Sequence, residues 1–351
     1  MGRDIGGEIA ELLAEAEEGG RCLVLRGRGS ARVYRALERR VAAGTVVSPA
    51  RGLYVSAGRW EGLKTDQRTL FLARGLQEQH PDWVFCGPTA AVAYGVDVSW
   101  SLQGNIHVAT TRSGHSPNGT LVHRHPILRE GEGASRIEMV GGLRVTSPER
   151  TLFDCLRRAD FPRGLGMIDS ALRAGVVSRD GFASYVESVR DGSRGKDLVR
   201  GTLAWADPRS ENGGESIARA RMLLLGYACP ELQVEVPNLV EGGAPFRADY
   251  CWVRADGVVI LGELDGTDKY VEEEMTRGRS IDEVLSDEKD RESRISLYDV
   301  VVMRFRFGLT ADPDAFAAHL DRYGVPRRGS ELALPDGERM IPDWESIRRV
   351  R

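Results

Sequence analysis

The feature that most constrains the fold is a pair of extended runs joined by a tight turn in the C-terminal half of the chain. Residues 246–254 and 258–265 flank the dipeptide Asp256-Gly257, which is a strong signal for a β-hairpin. The second run opens with Val258-Val259-Ile260-Leu261. A strand that is continuously apolar is typical of a central position buried on both faces. The hairpin therefore predicts a layered α/β domain in this part of the chain.

Carboxylates are concentrated on the same hairpin. Glu263 and Asp265 are two residues apart, so they share one face of the sheet. If the turn has three residues, with its glycine in the left-handed conformation, Asp249 lies directly opposite Glu263. A two-residue turn would move Asp249 to the other face.

Three carboxylates beside an apolar strand are costly to bury unless something compensates their charge. Mg²⁺ or Mn²⁺ would do so, because both ions prefer oxygen ligands. We therefore predict a metal site formed by Asp249, Glu263 and Asp265. The alternative is that the three groups are solvated surface carboxylates.

The segments around these carboxylates resemble the PD-(D/E)XK nuclease superfamily, and within it the branch related to the Vsr very-short-patch repair endonucleases. The resemblance covers about residues 210–322 and rests on segments in the expected order. These are Gly214-Glu215-Ser216, Phe246-Arg247-Ala248-Asp249, Gly262-Glu263-Leu264-Asp265-Gly266, Arg291-Glu292 and the run 300–305. It implies metal-dependent phosphodiester hydrolysis, with Asp249 and Glu263 as metal ligands and Glu215 as the acid of the superfamily's first helix.

One position departs from the superfamily's pattern. The motif's lysine slot, two residues after Glu263, holds Asp265. In the superfamily that lysine helps to stabilise or generate the attacking hydroxide. Asp265 would instead bind a second metal ion, and Lys269, shortly after the strand, would supply the missing positive charge. Alternatively, the site is a relic that still packs but no longer cuts.

The N-terminal segment is strongly basic. Residues 20–75 contain 12 basic and three acidic side chains. A helix predicted over residues 30–43 has an apolar stripe, and its arginines point away from that stripe because they are offset by about 200°. The arginines are Arg32, Arg35 and Arg39. Arg51 lies at the tip of a predicted hairpin that follows.

Two helices followed by a small hairpin are typical of a winged helix-turn-helix. In such a domain the arginine face of the second helix enters the major groove, and the arginine of the hairpin contacts the backbone or the minor groove. The alternative is a charged helix face that only solvates the surface. The local excess of positive charge favours DNA binding.

A second resemblance covers about residues 20–175 and rests on three segments. They are Arg51-Gly52-Leu53-Tyr54-Val55, Gly87-Pro88-Thr89-Ala90-Ala91-Val92-Ala93-Tyr94-Gly95, and the run 143–154, LRVTSPERTLFD. In order and spacing they are similar to the AbiEi family, antitoxins of type IV toxin–antitoxin systems. The resemblance implies a winged-helix DNA-binding domain, repression of the family's own operon and antagonism of a nucleotidyltransferase toxin. No clear middle helix precedes Ser30, which departs from the usual motif.

Composition excludes several classes of protein. The 41% hydrophobic and 28% charged residues are a globular balance, which excludes wholesale disorder. No run reaches the roughly 18 apolar residues of a membrane span, and the N-terminus lacks a secretory signal. Five cysteines without a C-x-x-C pair favour reduced thiols. We therefore expect a cytoplasmic protein without membrane association.

The predicted architecture is an α/β multidomain chain. A winged helix-turn-helix occupies residues 1–58, an α+β AbiEi-like domain residues 59–195, a restriction-endonuclease-like PD-(D/E)XK domain residues 205–326, and a polar tail residues 327–351. The leading hypothesis is a DNA-binding, Mg²⁺-dependent endonuclease of phage defence or toxin–antitoxin biology. The rival is a non-catalytic antitoxin and autorepressor, with a nucleotidyltransferase toxin as its partner and a degenerate nuclease fold as a scaffold.

Overall fold

The computed structural model describes residues 5–25, 31–111, 121–127, 136–239, 243–265, 295–330 and 339–349. The chain divides into two compact units, residues 1–206 and 207–351. Each contains helices and at least one sheet, so the mixed α/β class predicted from the sequence is confirmed. The segments predicted as winged-helix and middle domains lie together in the first unit, and the predicted nuclease domain lies in the second.

The N-terminal part of the first unit alternates helices with short strands. The elements are α1 (Ile5–Glu18), β1 (Leu23–Val24), α2 (Ala31–Ala42), β2 (Val46–Ala50) and β3 (Leu53–Ser56), and the sheet has the order β1-β3-β2. Helix α2 buries Val33, Ala36 and Leu37 on one face, as its apolar spacing predicts. Only six residues separate β1 from α2, and five of them lie outside the described residues.

The rest of the first unit surrounds a five-stranded sheet of order β6-β5-β4-β8-β7. Its strands are β4 (Val84–Phe85), β5 (Ile106–Ala109), β6 (Val122–His125), β7 (Ile137–Val140) and β8 (Leu143–Thr146). Its helices are α3 (Ala57–Gly62), α4 (Thr65–Gln79), α5 (Gly87–Ala93), α6 (Pro148–Leu156), α7 (Phe161–Arg173), α8 (Arg179–Ser188) and α9 (Lys196–Ala204). Two of the AbiEi-like segments meet here, because the Tyr94 hydroxyl donates to the Thr146 carbonyl at 2.9 Å.

Helix α9 lies in residues 193–208, a segment between the predicted middle and nuclease domains whose Gly, Ser and Pro residues indicate a domain boundary. The Lys196 side chain is 4% exposed. Its ammonium donates to the Val189 carbonyl at 2.6 Å and to Asp191 Oδ1 at 2.8 Å. Val199 and Leu203 are buried on the same helix. These tertiary contacts make the segment part of the first unit.

In its described residues the second unit is a four-stranded sheet with two helices packed on one face. Its elements are α10 (Gly213–Leu224), β9 (Glu231–Val236), β10 (Phe246–Val253), β11 (Val259–Asp265), β12 (Val300–Arg306) and α11 (Pro313–Arg322). The sheet order is β12-β11-β10-β9. Strands β9, β10 and β11 form an antiparallel meander, whereas β12 is parallel to β11. Tyr250, Trp252 and Phe305 share a core with Met222 of α10 and Phe316 of α11.

The hairpin between β10 and β11 has the predicted three-residue register. Gly257 has a φ of 86°, and the Arg254 amide donates to the Val258 carbonyl at 2.9 Å. The pairing continues to Tyr250 opposite Gly262. The three-residue turn is thus confirmed. The strand pairing ends at this point, one residue short of Asp249 and Glu263, and the Leu264 amide donates to the Asp249 side chain instead of to a β10 carbonyl, so the predicted opposition of these two carboxylates stays a prediction.

The C-terminal residues differ from the predicted polar tail. Met340, Trp344 and Ile347 pack on the second face of the sheet. The Trp344 ring meets the Tyr298 ring edge-on, with centroids 5.3 Å apart. The Asp299 amide donates to the Ile347 carbonyl at 2.7 Å. The segment is therefore a structural layer of the second unit, because it covers apolar strand residues that solvent would otherwise reach.

Within the described ranges, every helix is too short or too polar to span a lipid bilayer.

Candidate functional site

The acidic site of the second unit begins at the N-terminus of α10. Asn212 caps the helix by accepting the Glu215 amide at 3.0 Å. In return, the Glu215 carboxylate accepts the Asn212 side-chain amide and the Glu211 backbone amide, both at 2.7 Å. This reciprocal capping is typical of Glu at the third helical position. It fixes a carboxylate that is 4% exposed and points it at the sheet.

Gln233 links Glu215 to the sheet. Its side-chain amide donates to Glu215 Oε2 and to Asp249 Oδ1, each at 3.3 Å. The backbone pairs Ala248 with Val234 and Tyr250 with Leu232 lie on either side of Asp249 and Gln233. Among the described residues Gln233 alone has a positive φ, 51°, without being glycine. A left-handed conformation costs an L-residue about 1–2 kcal/mol, and such strain clusters at functional sites.

Asp249 connects this pair to the glutamate of the next strand. Its Oδ2 accepts the Leu264 backbone amide at 2.8 Å, so the Asp249 carboxylate lies against the peptide that directly follows Glu263. Glu263 itself is 7% exposed. The structure therefore links Glu215 to Asp249 through Gln233 and holds Asp249 against the strand that carries Glu263.

Burial makes the charge of Glu215 unfavourable. Burial, and after it the negative charge of Asp249, together raise the pKa of the Glu215 carboxyl from 4.5 to about 7. The hydrogen bonds from Glu211 and Gln233 oppose the shift but do not cancel it. A carboxyl with this pKa exchanges its proton near neutral pH, which is the property of a general acid or base.

The predicted metal ligands are only partly assembled. Within the parts of the chain that the structure describes, no three His, Cys, Asp or Glu side chains form a group that would hold a metal ion. Asp265, at the end of β11, pairs in register with Arg306 on β12. Mg²⁺ commonly binds proteins through one or two carboxylates plus water and substrate phosphate, and Asp249 with Glu263 fits that donor set. The metal site stays a prediction, and Lys269 lies outside the described residues.

The basic face of the first unit has the predicted orientation. Arg32, Arg35 and Arg39 are exposed on α2, opposite the buried side of that helix. Arg51 is exposed in the turn between β2 and β3, where Gly52 has a φ of 76°. None of the four arginines forms an ion pair with another residue that the structure describes.

Comparison with known proteins identifies part of the first unit. Residues 83–199 match the AbiEi antitoxin C-terminal domain, the region that carries the five-stranded sheet and the helices after it. The chain is similar to two proteins of Mycobacterium tuberculosis, uncharacterized protein MT2308 of strain CDC 1551 / Oshkosh and uncharacterized protein Rv2248 of strain ATCC 25618 / H37Rv. Each is 34% identical over 170 residues, which cover 48% of this chain and 58% of the relative. No solved structure matches the chain.

Sequence reasoning missed one residue of the acidic site. Gln233 was not singled out, although an antiparallel meander of β9 and β10 places it near Asp249. Residues 237–245 contain Pro237, Asn238 and Gly242-Gly243, which are turn residues, but the segment is too long to define the register of β9 against β10.

Proposed function

We propose that the chain is a DNA-binding, metal-dependent endonuclease of toxin–antitoxin or phage-defence biology. The carrying observation is the contact between Asp249 on β10 and the strand that carries Glu263: the Asp249 carboxylate accepts the backbone amide of Leu264, the residue after Glu263, at 2.8 Å. A match to the AbiEi antitoxin C-terminal domain over residues 83–199 supports the biological setting.

The topology of the second unit supports a PD-(D/E)XK fold. A helix, three antiparallel strands and a fourth strand parallel to the third follow one another in the described residues. The two carboxylates stand on the second and third strands, and Glu215 stands on the first helix. This is the order that the resemblance to the superfamily implies.

The chemistry follows from the side chains around Glu263. When bound by Asp249 and Glu263, Mg²⁺ or Mn²⁺ supplies a Lewis acid that polarises a scissile phosphate and acidifies a water molecule. Gln233 holds the Asp249 carboxylate in place through its side-chain amide. Glu215 carries or releases a proton near neutral pH, which places a proton acceptor next to the site.

The first unit supports DNA recognition. Helix α2 is followed by the β2–β3 hairpin, and the sheet order β1-β3-β2 agrees with a winged helix-turn-helix. In this arrangement Arg32, Arg35 and Arg39 face the major groove and Arg51 contacts the backbone. Binding through the first unit would raise the local concentration of DNA at the second.

A second candidate function is a non-catalytic antitoxin and autorepressor. The match over residues 83–199 favours it, and so does Asp265 in the position of the motif's lysine. The family's implied partner is then a nucleotidyltransferase toxin, and the second unit serves as a scaffold.

Incubation of supercoiled plasmid with the full chain and Mg²⁺ or Mn²⁺ separates the two candidates. The wild type should nick or linearise the plasmid, EDTA should stop the reaction, and Glu263→Ala should be inactive. Glu235→Ala is the matched control, because Glu235 is exposed on β9 of the same sheet. A wild type that cuts neither DNA nor RNA with any divalent metal would leave the antitoxin as the function.

A further inference from the structure

A cavity of about 400 Å³ opens beside Glu263 in the second unit. Its lining includes Glu263, Arg304 and Arg349 beside the apolar residues Ile295, Val300 and Val302. A cavity that pairs a buried carboxylate with two arginines suits a ligand with negative charge that also coordinates a cation. A phosphodiester has both properties.

The two arginines of the cavity are not equivalent. Arg349 pairs with Asp299 at 2.9 Å, and both side chains are largely exposed. Arg304 is half-buried on β12, where the parallel register places it directly beside Glu263. Arg304 is therefore the arginine positioned by the sheet itself.

The same strand contains a natural comparison. Arg306 stands beside Asp265 just as Arg304 stands beside Glu263. Arg306 is exposed and does not line the cavity with Glu263. If Arg304 and Arg306 only neutralised the carboxylates beside them on β11, replacing either arginine should have the same effect.

We propose that Arg304 binds the scissile phosphate in this cavity and supplies the positive charge that Asp265 does not. The inference rests on the proposed nuclease function. Guanidinium presents paired donors that match two phosphate oxygens. Placed next to Glu263, it would contact a phosphate that approaches the carboxylates and would stabilise the charge that develops on the phosphate during hydrolysis.

Cleavage kinetics of three variants test the assignment. Arg304→Gln should lower kcat on the order of 100-fold, as removal of one charge-stabilising donor does in other enzymes. Arg304→Lys should recover part of that loss, because it restores the charge without the paired donors. Arg306→Gln should cut like the wild type. Equal rates for Arg304→Gln and the wild type would overturn the proposal while leaving the nuclease function in place.

Phosphate binding provides a readout that does not need catalysis. Inorganic phosphate with Mg²⁺ should raise the melting temperature of the wild type and of Arg306→Gln through binding to the folded state. Arg304→Gln should show a smaller rise. If the wild type never cuts but this difference holds, Arg304 is a phosphate ligand in a chain that is not a nuclease. If phosphate stabilises both variants equally, the proposal is wrong, whatever the chain cuts.

Discussion

Glu215 should titrate near neutral pH, and its titration should appear as a pH dependence of stability. Burial and the charge of Asp249 raise its pKa from 4.5 to about 7. When the pKa of a carboxyl group is higher in the folded protein than in the unfolded chain, its contribution to stability is fully present below the unfolded-state pKa. That contribution is lost as the pH rises through the folded-state pKa. The second unit should therefore become less stable between mildly acidic and mildly alkaline pH.

The magnitude follows from the shift. A change from 4.5 to about 7, at about 1.4 kcal/mol per pKa unit, corresponds to about 3 kcal/mol in the limit. Between about pH 5 and about pH 8 the expected loss of unfolding free energy is about 2.5 kcal/mol. The side chain is 4% exposed, so solvent screening removes little of this effect.

The assay compares wild type with Glu215→Gln by hydrogen exchange of peptides from β10 and β11, which reports the opening free energy of this unit. Glu215→Gln replaces one carboxylate oxygen that accepts a hydrogen bond from Glu211 or Asn212. The resulting loss of stability is the same at each pH. The stability of the variant relative to wild type should therefore rise by about 2.5 kcal/mol from about pH 5 to about pH 8. Asp249→Asn should lower the pKa of Glu215. A stability difference that does not change with pH would refute the electrostatic reasoning.

Three further predictions concern the two surfaces. The double variant Arg35→Ala/Arg39→Ala should bind duplex DNA more weakly, and the slope of log K against log salt concentration should become shallower by about 2. Filter binding at several salt concentrations measures the slope, and an unchanged slope would show that DNA binds elsewhere. Millimolar Mg²⁺ or Mn²⁺ should raise the melting temperature of the wild type more than that of Asp249→Asn, and equal shifts in calorimetry would remove Asp249 from the metal site. Gln233→Glu should raise the pH of half-maximal cleavage, since it adds a third carboxylate beside Asp249 and Glu215; an unchanged pH profile would show that Gln233 does not set their charge.

The hairpin could be predicted from the sequence because its information is local. Asp256-Gly257 specifies the turn, the apolar run specifies the buried strand, and the three-residue register then follows from chain geometry. The amphipathic pattern of α2 predicted which way its arginines point for the same reason. Both features depend on residues within about ten positions of one another.

Other features depend on contacts that local patterns do not contain. Helix α9 begins at Lys196, whose charge suggests exposure, yet its ammonium is held by carbonyls from a preceding turn. Strand β4 has two residues, too few for any alternation. Met340, Trp344 and Ile347 have the i, i+4, i+7 spacing of a helix face, yet the segment forms turns, so local spacing does not predict how these residues pack on the sheet. The cavity beside Glu263 likewise needs Arg304 and Arg349, which are distant in sequence.

The backbone of Gln233 has a consequence for selection experiments. Glycine adopts a positive φ without the steric cost that a Cβ imposes, so at this position it should relieve about 1–2 kcal/mol of backbone strain. A library randomised at 233 and selected only for survival of heat should therefore become enriched in glycine. The same library selected for the activity of the acidic site should become enriched in glutamine, because only a side chain of that length brings an amide to both Glu215 and Asp249. A difference between the two selected residues would show that glutamine at position 233 lowers the stability of the protein and keeps the carboxylates in position.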